Sequence, residues 1–135
     1  MICPDYAQPH YLIFSDTVPS LIYFSHLPVM IISLLLGLFI YFKNRNSLLS
    51  KILFLISIVF FLWVFFNLIL WASNDSTVNI FYWSFFGILY PLIYILSAYL
   101  VYVFVTGKDF SLSLKLLFVS VLIPTILLTP SRYNM

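Results

Sequence analysis

The chain has 135 residues, of which 64% are hydrophobic and 7% charged, with a formal net charge of +2. Soluble domains carry about a quarter charged residues, and the polar residues here form short clusters too sparse to cover a water-facing surface. Lipid is the expected outer solvent, and six basic against four acidic side chains leave no footprint for nucleic acid.

The first nineteen residues, MICPDYAQPHYLIFSDTVP, contain no Lys or Arg and no uninterrupted apolar run. They therefore lack the basic and apolar regions of a cleavable signal peptide, and residues 1–19 are expected to form an extracellular tail. The single cysteine, Cys3, has no partner for an internal disulfide. Cys3, Asp5 and His10 carry ligating atoms, but their spacing matches no established metal site, so no metal is expected.

About 20 apolar residues are needed to cross the hydrocarbon core. Four segments of the region 20–135 are read as spans: 21–42, 52–72, 80–106 and 110–129. The third is longer than a crossing requires and is expected to tilt or protrude. The fourth is the weakest: its uncharged part, 116–129, is too short alone, so the span must begin near Phe110 with Lys115 snorkelling to the headgroups. Short connections at 43–51, 73–79 and 107–115 make consecutive helices antiparallel neighbours. The expected fold is an all-α membrane protein, four antiparallel transmembrane helices in an up-down bundle.

Lys43, Arg45, Lys51, Lys108 and Lys115 flank the first and third connections, whereas the tail and the middle connection hold no basic residue. The positive-inside rule then places the N-terminus outside the cytoplasmic membrane. Four crossings return the C-terminus to the outside, with Arg132 as the dissenting charge. Trp71, Tyr82 and Trp83 beside the outer connection, and Tyr41 and Phe42 at the inner boundary, fit interfacial aromatic belts. Trp63 falls mid-helix and does not.

Polar side chains within spans are expected to face other helices or a wet cavity, because unpaired polar groups are costly in hydrocarbon. In the first span His26, Ser33 and Gly37 share a stripe, and Ser33 to Gly37 forms a small-xxx-small pattern that permits close helix contact. In the second, Trp63, Asn67 and Trp71 recur every four residues; in the third, Trp83, Gly87, Tyr90, Tyr94 and Ser97 stay within one stripe. These second and third faces are expected to oppose the first, with Ser33, Gly37, Gly87, Tyr94 and Ser97 at helix contacts. A rise of about 1.5 Å per residue puts His26 and Asn67 at similar depth. An outward-opening ligand pocket of His26, Asn67 and Tyr90 follows as the candidate site. Pro28, Pro91 and Pro124 are expected to kink their helices, since proline lacks an amide donor and its ring obstructs the carbonyl four positions back. His26 beside Pro28 is either a structural hydrogen-bonding group or a proton-sensing one.

Gly37, Gly87 and Gly107 are too far apart to form a phosphate-cradling loop. One histidine in a span does not supply paired haem ligands, and Asp5, Asp16, Asp75 and Asp109 fall in tails or connections, away from any acid–base pair. Neither a cofactor nor a catalytic role is expected. Asn74-Asp75-Ser76 matches a glycosylation sequon, a frequent chance match.

The segments FSDTVPSLIYFSHLPVMIISLLLGLFIYFKNRNSLLSKILFLISIVFFLWVFFNLILWASND, FYWSFFGILYPLIYILSAYLVYVF and LTPSRYNM resemble the N-terminal seven-helix membrane sensor region of bacterial histidine kinases. The resemblance implies an extracellular N-terminus, seven spans and a cytosolic kinase core belonging to a two-component system. This chain has only the first four helices, with neither a phosphoacceptor helix nor a nucleotide-binding lobe. Any kinase activity would lie beyond these residues, and the expectation is a multi-pass signal-input region truncated before its output domain. Its partners would be the lipid bilayer, a second copy or further transmembrane helices, and a cytosolic kinase domain. The alternatives are a free-standing four-helix scaffold or assembly protein and a small transporter, the latter disfavoured by spans without charged pathway residues.

Overall fold

The structure, a computed structural model, describes residue 14, residues 18–73 and residues 75–128. The expectations attached to Cys3, Asp5, His10, Asp16, Asn74 and Arg132 lie outside the described residues.

Four helices follow one another: α1 (Ser20–Lys43), α2 (Leu48–Ala72), α3 (Ser76–Thr106) and α4 (Leu112–Leu128). The first three, of 24, 25 and 31 residues, are long and apolar enough to cross a membrane, which marks the chain as a membrane protein. The fourth has 17 residues, and at 1.5 Å per residue it rises about 25 Å, less than a typical hydrocarbon core. The segment expected as a fourth span from 110 to 129 is thus a shorter helix among the described residues. Phe110 and Ser111 belong to the connection, and the Ser111 hydroxyl accepts from the Leu114 amide at 3.4 Å as the helix opens.

Local chemistry also moves two other boundaries. The third helix starts at Ser76, a turn before the expected 80, because Asp75 caps it: its carboxylate accepts the Thr77 amide at 2.8 Å. It ends at Gly107, whose φ of 65° is the left-handed conformation that stops helices and that glycine adopts without penalty. The second helix starts at Leu48 after Ser47, which brings Lys51 into its first turn. Pro28, Pro91 and Pro124 each lie inside a continuous helix, removing one donor from its ladder.

Packing is successive: α1 on α2, α2 on α3, and α4 more lightly on α3. The α2 helix is the middle element and buries the most residues, with Leu68, Ile69 and Ala72 fully enclosed. One side meets α1 through Ser57, next to Gly37, and Phe54, stacked on Tyr41 at 5.0 Å. Another side carries Val59, Ile56, Trp63 and Phe66 against Leu89 and Leu96 of α3. Two residues of an α-helix subtend about 200°, so Ser57 and Val59 look in nearly opposite directions. Large apolar side chains also point outward, among them Phe24 and Phe104, each 76% exposed. Helices apolar on all sides suit a lipid environment.

Candidate functional site

At the end of the α2–α3 pair an open groove of about 1460 Å³ is lined by Asn67, Leu70 and Trp71 of α2, by Thr77 to Tyr90 positions of α3, and by Ile126 of α4. The α3 contribution is periodic: Asn79, Trp83, Gly87 and Tyr90 recur every three to four residues and share one face. From Asn79 to Tyr90 the groove runs about 16 Å along the helix. Among the described residues its lining carries no charge: Asn67, Thr77, Asn79, Ser84, Tyr90, Trp71 and Trp83 bring neutral polar groups, and Phe81, Phe85, Phe86 and Ile88 complete a mostly apolar wall.

Asn79 is the best-defined polar group. Its Nδ2 donates to the Ser73 carbonyl at 3.1 Å, while its Oδ1 is buried without a hydrogen-bond partner among the described residues. Ser73 also accepts the Asp75 amide on its hydroxyl at 3.2 Å, so the turn before α3 holds Asn79 in place. The Ser84 hydroxyl donates to the Phe81 carbonyl at 2.7 Å, within its own helix.

Of the three candidate ligand residues, Asn67 and Tyr90 line this groove together and His26 does not. The His26 Nδ1 lies 2.8 Å from the Ser25 hydroxyl and 3.0 Å from the Ile22 carbonyl, both on α1. In one tautomer it donates to the carbonyl; in the other it accepts from Ser25. The reason for the separation is angular: α1 occupies the side of α2 that carries Ser57, and equal depth does not bring two residues together.

Among the expected packing residues, Gly37 is buried against Ser57. Ser33 turns its hydroxyl back to the Met30 carbonyl at 2.9 Å. Gly87, Tyr94 and Ser97 are exposed, Tyr94 to 73%. Their stripe is not the packing face of α3 among the described helices, which correct the expectation that it opposes α1. The packing face is instead Phe86, Leu89, Leu96 and Val103, all buried. Large apolar side chains make the contact with α2, and the polar stripe is left for the groove and the open side.

Two further features go beyond what was expected, the first against the expectation that the Trp63 stripe opposes α1, since Trp63 packs on α3. Trp63 sits between Phe60, Phe86 and Tyr90, with ring centroids 5.8, 6.4 and 6.4 Å away, and its buried Nε1 has no partner among the described residues. At the opposite end, Lys115 pairs with Asp109 at 2.5 Å and the Tyr99 hydroxyl donates to the other Asp109 oxygen. Phe110 stacks on Tyr99 at 4.5 Å and touches Phe118 at 5.4 Å, clamping α4 to α3. The Lys115 hydrogen bond first, and the Tyr99 hydroxyl second, hold the Asp109 carboxyl below its ordinary value. Asn79 was legible in principle, because Asp75 as a helix cap extends the Trp83–Gly87–Tyr90 stripe backwards by one turn.

The groove holds no nucleophile beside a base, and no group of three or more His, Cys, Asp or Glu side chains gathers among the described residues. What it can do is accommodate a neutral, mostly apolar molecule. No protein family, curated protein or solved structure matches the chain.

Proposed function

We propose that the chain is the membrane-embedded signal-input region of a histidine-kinase-type receptor, with the groove as its input site. The observation that carries this reading is the origin of the groove walls: Asn67 from α2, Tyr90 from α3 and Ile126 from α4. The α4 helix is clamped at its start through Asp109 and Phe110 and packs on α3 more lightly than the other helices pack on α2. An occupant touching all three walls therefore biases the position of α4, and a two-state element needs only such a differential contact. The helices are read as an antiparallel up-down set with the N-terminus outside. Pairs such as Tyr41 with Phe54, Gly37 with Ser57, Phe66 with Tyr82 and Trp63 with Tyr90 support that order, and the basic connections support the orientation.

The test is the gene. An in-frame or adjacent phosphoacceptor helix and nucleotide-binding lobe, whose autophosphorylation changes with Asn67→Leu or Tyr90→Leu, is the expected result. A transcript encoding neither would sink the sensor reading. The second reading, a membrane scaffold, is favoured by the open face of α3, where Gly87, Ser97 and Ala98 offer a small-residue surface to another helix.

A further inference from the structure

Two connections carry basic residues, and they treat their charge differently. In the connection after α3, Lys115 is paired with Asp109. In the turn from α1 into α2, Lys43, Arg45 and Lys51 are all exposed and make no ion pair among the described residues. Asp75 cannot reach them, because it lies beyond the far end of α2, where it caps α3. We propose that this turn is a binding site for the phosphate of an anionic phospholipid, held by Arg45, Lys51 and the open start of α2.

The α2 helix begins without an acceptor. Ser47 precedes it, but its hydroxyl makes no capping bond, and the first turn holds no acidic residue. The Ser47 amide donates to the Asn44 carbonyl at 3.1 Å and the Lys51 amide to the Ser47 carbonyl at 3.3 Å. Between them the amides of Leu48, Leu49 and Ser50 have no acceptor among the described residues, so the positive end of a 25-residue helix faces the turn. Lys51 adds a cation at the end of the helix that favours an anion. An external anion relieves that repulsion.

Ser50 is an independent sign of a missing partner. It is 6% exposed, and its hydroxyl makes no hydrogen bond among the described residues. Ser33 and Ser57, by contrast, donate to the Met30 and Leu53 carbonyls of their own helices. Nor is the Ser50 oxygen sealed from water as the Trp63 Nε1 and the Asn79 Oδ1 are. Side chains on a helix tilt toward its N-terminus, so this hydroxyl leans toward the three open amides. It shares a stripe with Phe54 and Ser57, which face α1, and so lies on the inner wall of the turn. A buried hydroxyl calls for a partner, and a phosphate oxygen accepts from it as it does from the amides.

The position of the turn decides where the phosphate comes from. No Lys, Arg, Asp or Glu occurs from 21 to 42 or from 52 to 72, so both helices reach the turn through apolar runs. The 24 residues of α1 rise about 36 Å, a little more than the hydrocarbon core, which brings the turn to the headgroups. Lys43 marks that boundary, with its Nζ 5.8 Å from the centre of the Phe39 ring on its own helix. Arg45 offers the planar donor fork that suits a phosphate, and Lys51 a second positive charge. A zwitterionic headgroup brings its own cation to such a site, whereas phosphatidylglycerol brings a bare negative charge. The site is separate from the groove and holds whether or not the chain serves a kinase.

Phosphorus NMR of the full chain in maltoside micelles, whose detergent contains no phosphorus, reads the phosphate directly. The expected result is saturable broadening of added phosphatidylglycerol at a half-saturating concentration about tenfold below that of phosphatidylcholine, in keeping with charge-assisted hydrogen bonds. Arg45→Gln with Lys51→Gln should abolish that preference, and Ser50→Ala should weaken it about threefold. Lys108→Gln removes a charge from the other connection and should change it by less than about twofold. Ser50→Ala carries the test if circular dichroism shows that the double variant does not fold. Equal half-saturation by the two lipids, or a loss in Lys108→Gln as large as in Arg45→Gln, would overturn the proposal. Inorganic phosphate saturating at the same concentration as phosphatidylglycerol would overturn it too, by showing a site for a soluble anion.

Discussion

Gly37 of α1 lies so close to Ser57 of α2 that a β-carbon at position 37 would stand 2.5 Å from the Ser57 Cβ and 2.6 Å from its Oγ. That distance is well inside van der Waals contact, so the absence of a side chain at Gly37 sets the spacing of the two helices. Gly37→Ala is expected to destabilise by about 1–3 kcal/mol through overpacking, and Gly37→Leu by more. The neighbouring Leu38→Ala, on a half-buried position, should cost less than Gly37→Leu. Thermal unfolding in detergent gives the order, and Ser57→Gly combined with Gly37→Ala should recover most of the loss.

Trp63 is held by its ring rather than by its donor. Its Nε1 has no partner among the described residues, while three aromatic rings surround it. Trp63→Phe keeps the ring contacts and removes an unpaired polar group, so stability should change by less than about 1 kcal/mol. Trp63→Ala should cost about 3–5 kcal/mol by opening a cavity between α2 and α3. Denaturation midpoints of the two variants check the contrast.

His26 bonds within its own helix, and the Ser25 hydroxyl also donates to the same Ile22 carbonyl at 2.9 Å. Removing the imidazole leaves that carbonyl satisfied. His26→Leu and His26→Gln should each stay within about 1 kcal/mol of the parent. If the proposed receptor reading holds, both are expected to keep the output of the full-length protein. Loss of output in both, with folding unchanged, would return His26 to the role of a titrating sensor.

The α3–α4 clamp should respond to acid. Asp109 lies in the connection, and Lys115 and Tyr99 hold its carboxyl below the ordinary 3.8. A depressed folded-state pKa means that the contribution is present above 3.8 and is lost as the pH falls through the lower, folded value. Spin labels at Thr106 and Leu117 should report one distance from neutral pH down to about 4, with separation only in stronger acid. Lys115→Ala should move that transition upward, toward 3.8.

Orientation is checked with introduced cysteines in a Cys3→Ser background. Ser76→Cys, at the exposed start of α3, should react with an impermeant maleimide on intact cells, whereas Asn46→Cys should react only after permeabilisation. The opposite pattern would invert the orientation and count against the proposed receptor reading, which needs its output on the side of the basic connections.

The three long helices were written in one dimension. Hydrocarbon offers no partner for a free amide, so a run such as 21–42 has to satisfy its backbone as a helix whatever packs against it. Gly37 was legible for a similar reason, since a missing side chain can be seen in the sequence and its use is a close contact. Which faces meet was decided only in three dimensions. Polar side chains within spans are expected to point toward neighbours, yet Ser33 bonds to Met30 and His26 to Ile22 on their own helix, and such self-satisfied groups carry no information about the packing side. The pairing of Asn67 with Tyr90, and the exclusion of His26 from it, depended on the angle at which α1 and α3 meet α2. Residue number along a helix encodes depth directly, but the choice of partner around its circumference is made by all the side chains that pack there at once.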